Sequence, residues 1–262
     1  MTAPGTIFLM YHELEVPGRS LVQTAPGYVR YVLSTSEFRA QMQFIQSEGW
    51  RGVNISAALN HAPETIALTF DDGCETDLLY AVPILQEFGF SATFYITTGF
   101  LGKPGFLNAS QLRELSGLDF EIGCHSMTHA YLTDLDDEEL HREIAEAKTQ
   151  LQQIIGRPVE HFSCPGGRYN ERISEMARRA GYRTVATSRM QPNSARTNPF
   201  ALGRVAVMRG TSPEAFADLC RGRSLRRQHF AFRLREATRR LLGNSLYDRL
   251  RDAVLRRQNS TH

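Results

Sequence analysis

Lysine and cysteine are scarce in this sequence. Of the 30 basic residues only Lys103 and Lys148 are lysines, a bias that reads as codon usage rather than function. Four cysteines in 262 residues do not make a disulfide framework. Cys74, Cys124 and Cys164 each fall within a few residues of a candidate motif. They read as small buried hydrophobes, with a second metal site or a redox switch as the alternatives, and free thiols there fit a reducing compartment. No apolar run approaches the roughly 18–20 residues that a membrane-spanning helix needs. The N-terminus has no basic region, and the apolar stretch Ile7–Tyr11 is too short for a signal-peptide core, so a cytoplasmic location is expected. Neither GxGxxG nor GxxxxGKS/T follows the first candidate strand, which takes weight from nucleotide-binding folds.

What remains is 42% hydrophobic and 22% charged, enough for one sizeable core or two small ones. The formal net charge of +2 hides an asymmetry. Residues 221–262 hold 12 arginines against Glu236, Asp248 and Asp252, whereas residues 1–220 hold 18 basic against 25 acidic residues. The chain therefore divides into a mildly acidic body, residues 1–220, and a basic tail, residues 221–262.

Strand-length apolar or β-branched runs recur along the body: Thr6–Tyr11, Ile66–Phe70, Ala92–Thr97, Phe120–Cys124, His161–Cys164, Arg183–Thr187 and Leu202–Met208. Several are unbroken, as strands buried on both faces are. Helical patterns fall between them. Ser36 can cap a helix closed by Gly49, Asp77–Phe88 stops at Gly89, Asp134–Ile155 opens on an acidic cluster and closes at Gly156, and Asn170 caps a helix ended by Gly181. Ser212–Pro213 is a further helix start. Seven strands interleaved with helices predict an α/β fold with a parallel sheet, either a closed or nearly closed barrel or an open doubly wound sheet.

Polar, ligand-capable residues follow the strands: His12 the first, Asp71-Asp72-Gly73 the second, His125-Ser126-Met127-Thr128-His129 the fourth, and Pro165-Gly166-Gly167-Arg168 the fifth. The C-terminal ends of strands are where barrel and open α/β enzymes carry their active sites. Two histidines four apart, or Asp-Asp-Gly after a strand, are weak signals alone. Together they supply two imidazoles and a carboxylate for one open metal site, with a second carboxylate beside it to act as a base.

Thr69-Phe70-Asp71-Asp72-Gly73 followed by His125-Ser126-Met127-Thr128-His129 resembles the polysaccharide deacetylase family, the NodB-homology domain of carbohydrate esterase family 4. Phe162-Ser163-Cys164-Pro165-Gly166-Gly167 stands where that family has Arg-x-Pro-Tyr. Leu9-Met10-Tyr11-His12-Glu13 resembles the start of a circularly permuted, poly-N-acetylglucosamine deacetylase-like branch. The resemblance spans about Ile7 to Met208. It implies a distorted (β/α) barrel of about seven parallel strands. It also implies one divalent metal, usually Zn2+ (with Co2+, Ni2+ or Fe2+ as alternatives), and hydrolysis of an N-acetyl or other acyl amide group on a sugar. Carried over by motif, Asp72, His125 and His129 bind the metal, Asp71 is the general base and His12 the general acid. Water activated at the metal attacks the acyl carbon, and His12 protonates the departing amine. Backbone N–H groups of Pro165–Gly167 are expected to hold the oxyanion. The motif arginine is Ser163 here and the motif tyrosine is Gly166. Arg168 and Arg204 are the candidates to supply the missing charge from a neighbouring strand end, with a surface or structural role as the alternative for each, and the glycines are candidates to widen the cleft.

The tail reads as two amphipathic helices, residues 224–242 and 245–255. They either pack on the barrel with a solvated arginine face or meet anionic lipid; no nucleic-acid-reading motif accompanies the charge. These readings lead to an acetylated glycan substrate, lipid-linked in the sharper version, handled at the inner face of a membrane. The competing reading is a catalytically silent metal- or glycan-binding module of the same fold, which the altered Arg-x-Pro-Tyr segment favours.

Overall fold

The computed structural model of the protein describes residues 5–118, 120–223 and 225. Ten strands are present among the described residues: β1 Ile7–Tyr11, β2 Leu14–Glu15, β3 Leu33–Ser34, β4 Arg51–Val53, β5 Thr65–Phe70, β6 Thr93–Ile96, β7 Glu121–Cys124, β8 His161–Ser163, β9 Thr184–Ala186 and β10 Val205–Ala206. Eight form one parallel sheet in the order β10-β1-β5-β6-β7-β8-β9. The eighth, β4, pairs with the first half of β5, leaving the second half to β6. The sheet curls until β9 approaches β10, where the bridge Ala186–Leu202 spans the seam. The outcome is the distorted parallel barrel expected, with β2 and β3 as a separate pair beside it.

Nine α-helices accompany the strands among the described residues: α1 Pro26–Val29, α2 Thr35–Ser47, α3 Ile55–Ala58, α4 Val82–Glu87, α5 Ala109–Gly117, α6 Asp137–His141, α7 Ala147–Ile155, α8 Glu171–Arg179 and α9 Pro213–Cys220. Several sequence expectations shift. The cap of α2 is Ser34, not Ser36: its hydroxyl accepts from the Glu37 N–H while the Glu37 carboxylate accepts from the Ser34 N–H. The helix expected from Asp134 starts at Asp137, because Asp136 makes the capping box with Glu139, and a π turn over Arg142–Glu146 joins α6 to α7. The run Leu202–Met208 yields only the two-residue β10. The two helices expected over 224–242 and 245–255 lie outside the described residues, apart from Leu225.

Along each strand the side chains alternate between two cores. Outward residues such as Leu9, Leu68, Phe70, Phe94 and Phe162 pack beneath the helices in the main cluster. Inward residues fill the barrel, and Phe8, Ala67, Tyr95, Ala186 and Leu202 form an apolar plug there. Below the plug lies a polar layer, with His161 bonded to Ser56 (2.9 Å) and Thr184 (2.8 Å), and Glu121 to Thr93 (2.5 Å). Above the plug the strands end in charged residues.

Candidate active site

Asp71, the first residue beyond β5, points up the barrel axis from the same face as Ala67 and Thr69. The Arg204 guanidinium grips it in two parallel bonds, Nη1 to Oδ1 at 2.7 Å and Nη2 to Oδ2 at 2.8 Å. Both residues are buried, at 1% exposure for Arg204 and 2% for Asp71. The Ser163 hydroxyl accepts from Arg204 Nη2 at 2.6 Å and lies 3.4 Å from each Asp71 oxygen. Burial alone would raise the Asp71 pKa. Arg204, with His125 and His12, outweighs it and holds the carboxyl below the usual carboxylate range. The serine at the motif arginine position and the arginine before β10 thus work together.

Strict strand alternation would send Asp72 to the opposite face. A left-handed backbone at Asp72 (φ 79°), followed by Gly73 (φ 80°), turns its carboxylate back toward the site. Ser126 (φ 69°) and His129 (φ 64°) make a similar turn after β7. Glu143, in the π turn before α7, fixes that loop: its carboxylate accepts from the Met127 and Thr128 N–H groups, both at 2.9 Å, and from the Thr128 hydroxyl at 2.6 Å.

Asp72, His125 and His129 consequently converge, each offering one ligand atom, all within 4.8 Å of one another. Asp72 Oδ1 stands 3.7 Å from His125 Nε2 and 3.4 Å from His129 Nε2. His125 Nδ1 is 2.9 Å from the Ser163 carbonyl. A carbonyl can only accept, so Nδ1 carries the proton and Nε2 turns its lone pair to the site. Burial lowers the His125 pKa to about 4, which keeps the ring neutral as a ligand must be. Asp72 Oδ1 is buried and has no hydrogen-bond partner. A buried, unsatisfied oxygen facing two imidazole nitrogens fits a divalent cation.

His12 directly follows β1 and is half-buried at the rim. Burial lowers its pKa; Asp72 and Asp71 act against that, Arg204 and His129 with it, so the ring lies within the field of all four. Its ring stacks on Tyr31 at 4.9 Å, and His129 stacks on Phe100 at 6.0 Å.

The Pro165–Gly167 turn departs from expectation. Pro165 has no N–H, and the Gly167 N–H donates to the Cys164 carbonyl at 2.9 Å, so of the three only Gly166 can offer an N–H to an oxyanion. The cleft is not widened at Gly166 either, since a Cβ there would meet the Tyr131 ring at 3.0 Å. Arg168 is buried with its guanidinium 3.2 Å above that ring, and it is Arg204, not Arg168, that pairs with Asp71. Both terminal nitrogens of the Arg204 guanidinium are engaged by the Asp71 carboxylate. All four cysteines are free and buried. Among the described residues the convergent ligand set contains none of them. Burial pushes the Cys124 and Cys164 thiols up to about 12. Sequence reasoning missed Tyr31, Phe100 and Glu143, which carry no motif; their signal is purely spatial.

The profile of the polysaccharide deacetylase family matches residues 58–185. YxkH of Bacillus subtilis is 26% identical over 215 residues, spanning 79% of this chain and 73% of its own. The peptidoglycan-N-acetylglucosamine deacetylase of Bacillus cereus is 32% identical over 135 residues, 51% of this chain and 61% of that protein. The poly-beta-1,6-N-acetyl-D-glucosamine N-deacetylase of Staphylococcus aureus (strain MRSA252) is 23% identical over 212 residues, covering 72% and 71%. In fold, the chain is similar to the Streptococcus pyogenes deacetylase PplD, with a TM-score of 0.74 at 22% identity over 82% of this chain and 98% of that one. The parallel barrel and the sequence profile agree, and the chain is similar in sequence and in fold to hydrolases of the polysaccharide deacetylase family.

Proposed function

We propose that this protein removes the acetyl group from N-acetylated sugars of a polysaccharide or a lipid-linked glycan, using one divalent cation. The observation that carries the reading is the convergence of Asp72, His125 and His129 on one point, with an unsatisfied Asp72 oxygen, beside a carboxylate kept ionised by Arg204. Asp72, His125 and His129 would hold the cation. Two nitrogens and one oxygen suit Zn2+, and accept Co2+, Ni2+ or Fe2+. When bound, the ion supplies Lewis-acid polarisation of the acyl carbonyl and a lowered pKa for water.

The remaining chemistry belongs to the chain. Asp71 receives the proton of the attacking water; its two bonds to Arg204 leave it a carboxylate and fix its plane. His12 delivers a proton to the sugar nitrogen as the carbon–nitrogen bond breaks, so acetate and a free amine leave. Negative charge developing on the acyl oxygen favours the protonated imidazole, against the burial that lowers its pKa in the free chain. The Gly166 N–H is the turn's one donor for that oxygen. A positioned acid or base of this kind contributes on the order of 10²–10⁴-fold. The silent-module reading loses its motivating observation, because Arg204 restores the charge that Ser163 removes.

The test is acetate release from N-acetylglucosamine oligomers by the zinc-loaded protein, with Asp71→Asn beside it. Turnover is expected to fall by about 10²–10⁴-fold in the variant with metal content retained. Undiminished turnover would remove Asp71 from the mechanism. We also infer that the arginine-rich residues 221–262 draw the enzyme to anionic lipid. Co-sedimentation with phosphatidylserine vesicles at low salt supports this, and a protein left in the supernatant refutes it.

A further inference from the structure

Asp71 and His125 are both held by hydrogen bonds, to Arg204 and to the Ser163 carbonyl. His12 is not. Its Nδ1 is buried and meets no hydrogen-bond partner, so no carboxylate or carbonyl sets the ring's plane in the usual way. What the imidazole does meet is the Tyr31 ring, at a centroid distance of 4.9 Å and an interplanar angle of 29°.

Residues 13–34 leave the top of β1 directly after His12 and bring Tyr31 back to the same imidazole. This excursion is tied down along its length. β2 pairs with β3, closing its base. Glu13, the neighbour of His12, accepts from the Val22 N–H at 3.1 Å and from the Tyr28 hydroxyl at 3.0 Å. Arg19 is salt-bridged to Glu75. The Tyr31 N–H donates to the Tyr28 carbonyl at 2.9 Å, and the Arg209 N–H to the Arg30 carbonyl at 2.8 Å. The Arg30 guanidinium lies 5.5 Å from the Tyr31 ring. Tyr31 is therefore presented by a braced backbone, not by a loose loop.

We propose that Tyr31 is a positioning residue for His12: its ring fixes the plane of the imidazole so that one nitrogen faces the departing amine. The proposal rests on the reading of His12 as the proton donor. An offset stack suits that task, since it holds the plane through the ring face without engaging either nitrogen. A hydrogen bond to Nδ1 would instead commit the ring to one tautomer.

Two substrates separate this role from a merely structural one. An N-acetylglucosamine oligomer needs a proton on its leaving nitrogen; 4-nitrophenyl acetate releases a stable anion and needs none. The zinc-loaded wild type, Tyr31→Leu, Tyr31→Phe, His12→Ala and the His12→Ala/Tyr31→Leu pair are compared on both. Tyr31→Leu is expected to lower kcat on the oligomer by about 10- to 100-fold, the scale of a misplaced catalytic group. KM, ester hydrolysis and metal content stay unchanged, Tyr31→Phe recovers kcat, and the pair is no slower than His12→Ala. A raised KM at constant kcat would mean that the ring touches substrate, and overturns the proposal. So does an equal loss on the ester, or an additive loss in the pair. If His12→Ala leaves oligomer turnover intact, the reading of His12 as donor falls and the proposal with it. If His12→Ala is slow and Tyr31→Leu is not, the proposal alone falls.

Discussion

Arg204 and Asp71 form a salt bridge with almost no access to water, and such a pair is asymmetric in its energetics. Making it costs desolvation on both sides, while removing one partner strands the other charge in the interior at about 3–5 kcal/mol. Arg204→Met is therefore expected to destabilise the fold by about that amount at neutral pH, read by urea denaturation. The pH dependence has a definite sign. The folded Asp71 pKa lies below its unfolded value of about 3.9, so the carboxylate's contribution is fully present above about pH 4. It is lost as the pH falls toward the folded value. The gap between wild type and variant should narrow below about pH 4; a constant gap would assign the loss to packing instead of charge. At this scale the sequence is legible wherever a candidate residue stands just beyond the end of a strand, as His12, Asp71, Asp72 and His125 do. Arg204 could be read only as one of two candidates. It sits 133 positions from its partner, and nothing local distinguishes an arginine that reaches into a barrel from one that stacks on a tyrosine.

The elements show the same division between local and distant causes. Long periodic helices and unbroken apolar strands were readable, whereas β2, β3 and β4, of two or three residues, are too short for any period to register. Helix α5 carries a capping box, Asn108 with Gln111, that was available in the sequence and was missed. In β7, Gly123 is dictated by its neighbours: a Cβ there would lie 2.4 Å from the Tyr95 ring and 3.1 Å from the His161 carbonyl. Tyr95 is fully buried in the barrel plug and cannot withdraw. Gly123→Ala is expected to cost about 1–3 kcal/mol as an overpacked core, measured by urea denaturation. An unchanged midpoint would mean that the plug yields more easily than its packing suggests.

At the scale of the whole molecule, Asp72 follows β5 while His125 and His129 follow β7, so a cation held between them would tie two segments of the barrel mouth together. Binding to the folded chain alone raises its stability by about 2.7 kcal/mol at a free ion concentration of 100 Kd. Zinc is expected to raise the thermal midpoint of the wild type, and His125→Ala/His129→Ala to abolish that increment. A midpoint indifferent to zinc in the wild type would place any bound ion elsewhere. The burial of the four thiols has a consequence of a different kind. Only the thiolate reacts with an alkylating reagent. Burial sends Cys124, Cys164 and Cys220 to about 12 and Cys74 well above its ordinary value, so the folded chain is closed to such chemistry. Alkylation then proceeds only through opened forms, and the protein carries its own unlabelled stopwatch. Cys220 ends the peripheral helix α9, and the other three lie at the barrel mouth. Iodoacetamide followed by mass spectrometry should mark Cys220 first, and the interval before the others are marked measures how much longer the barrel stays shut than the helix that leans on it.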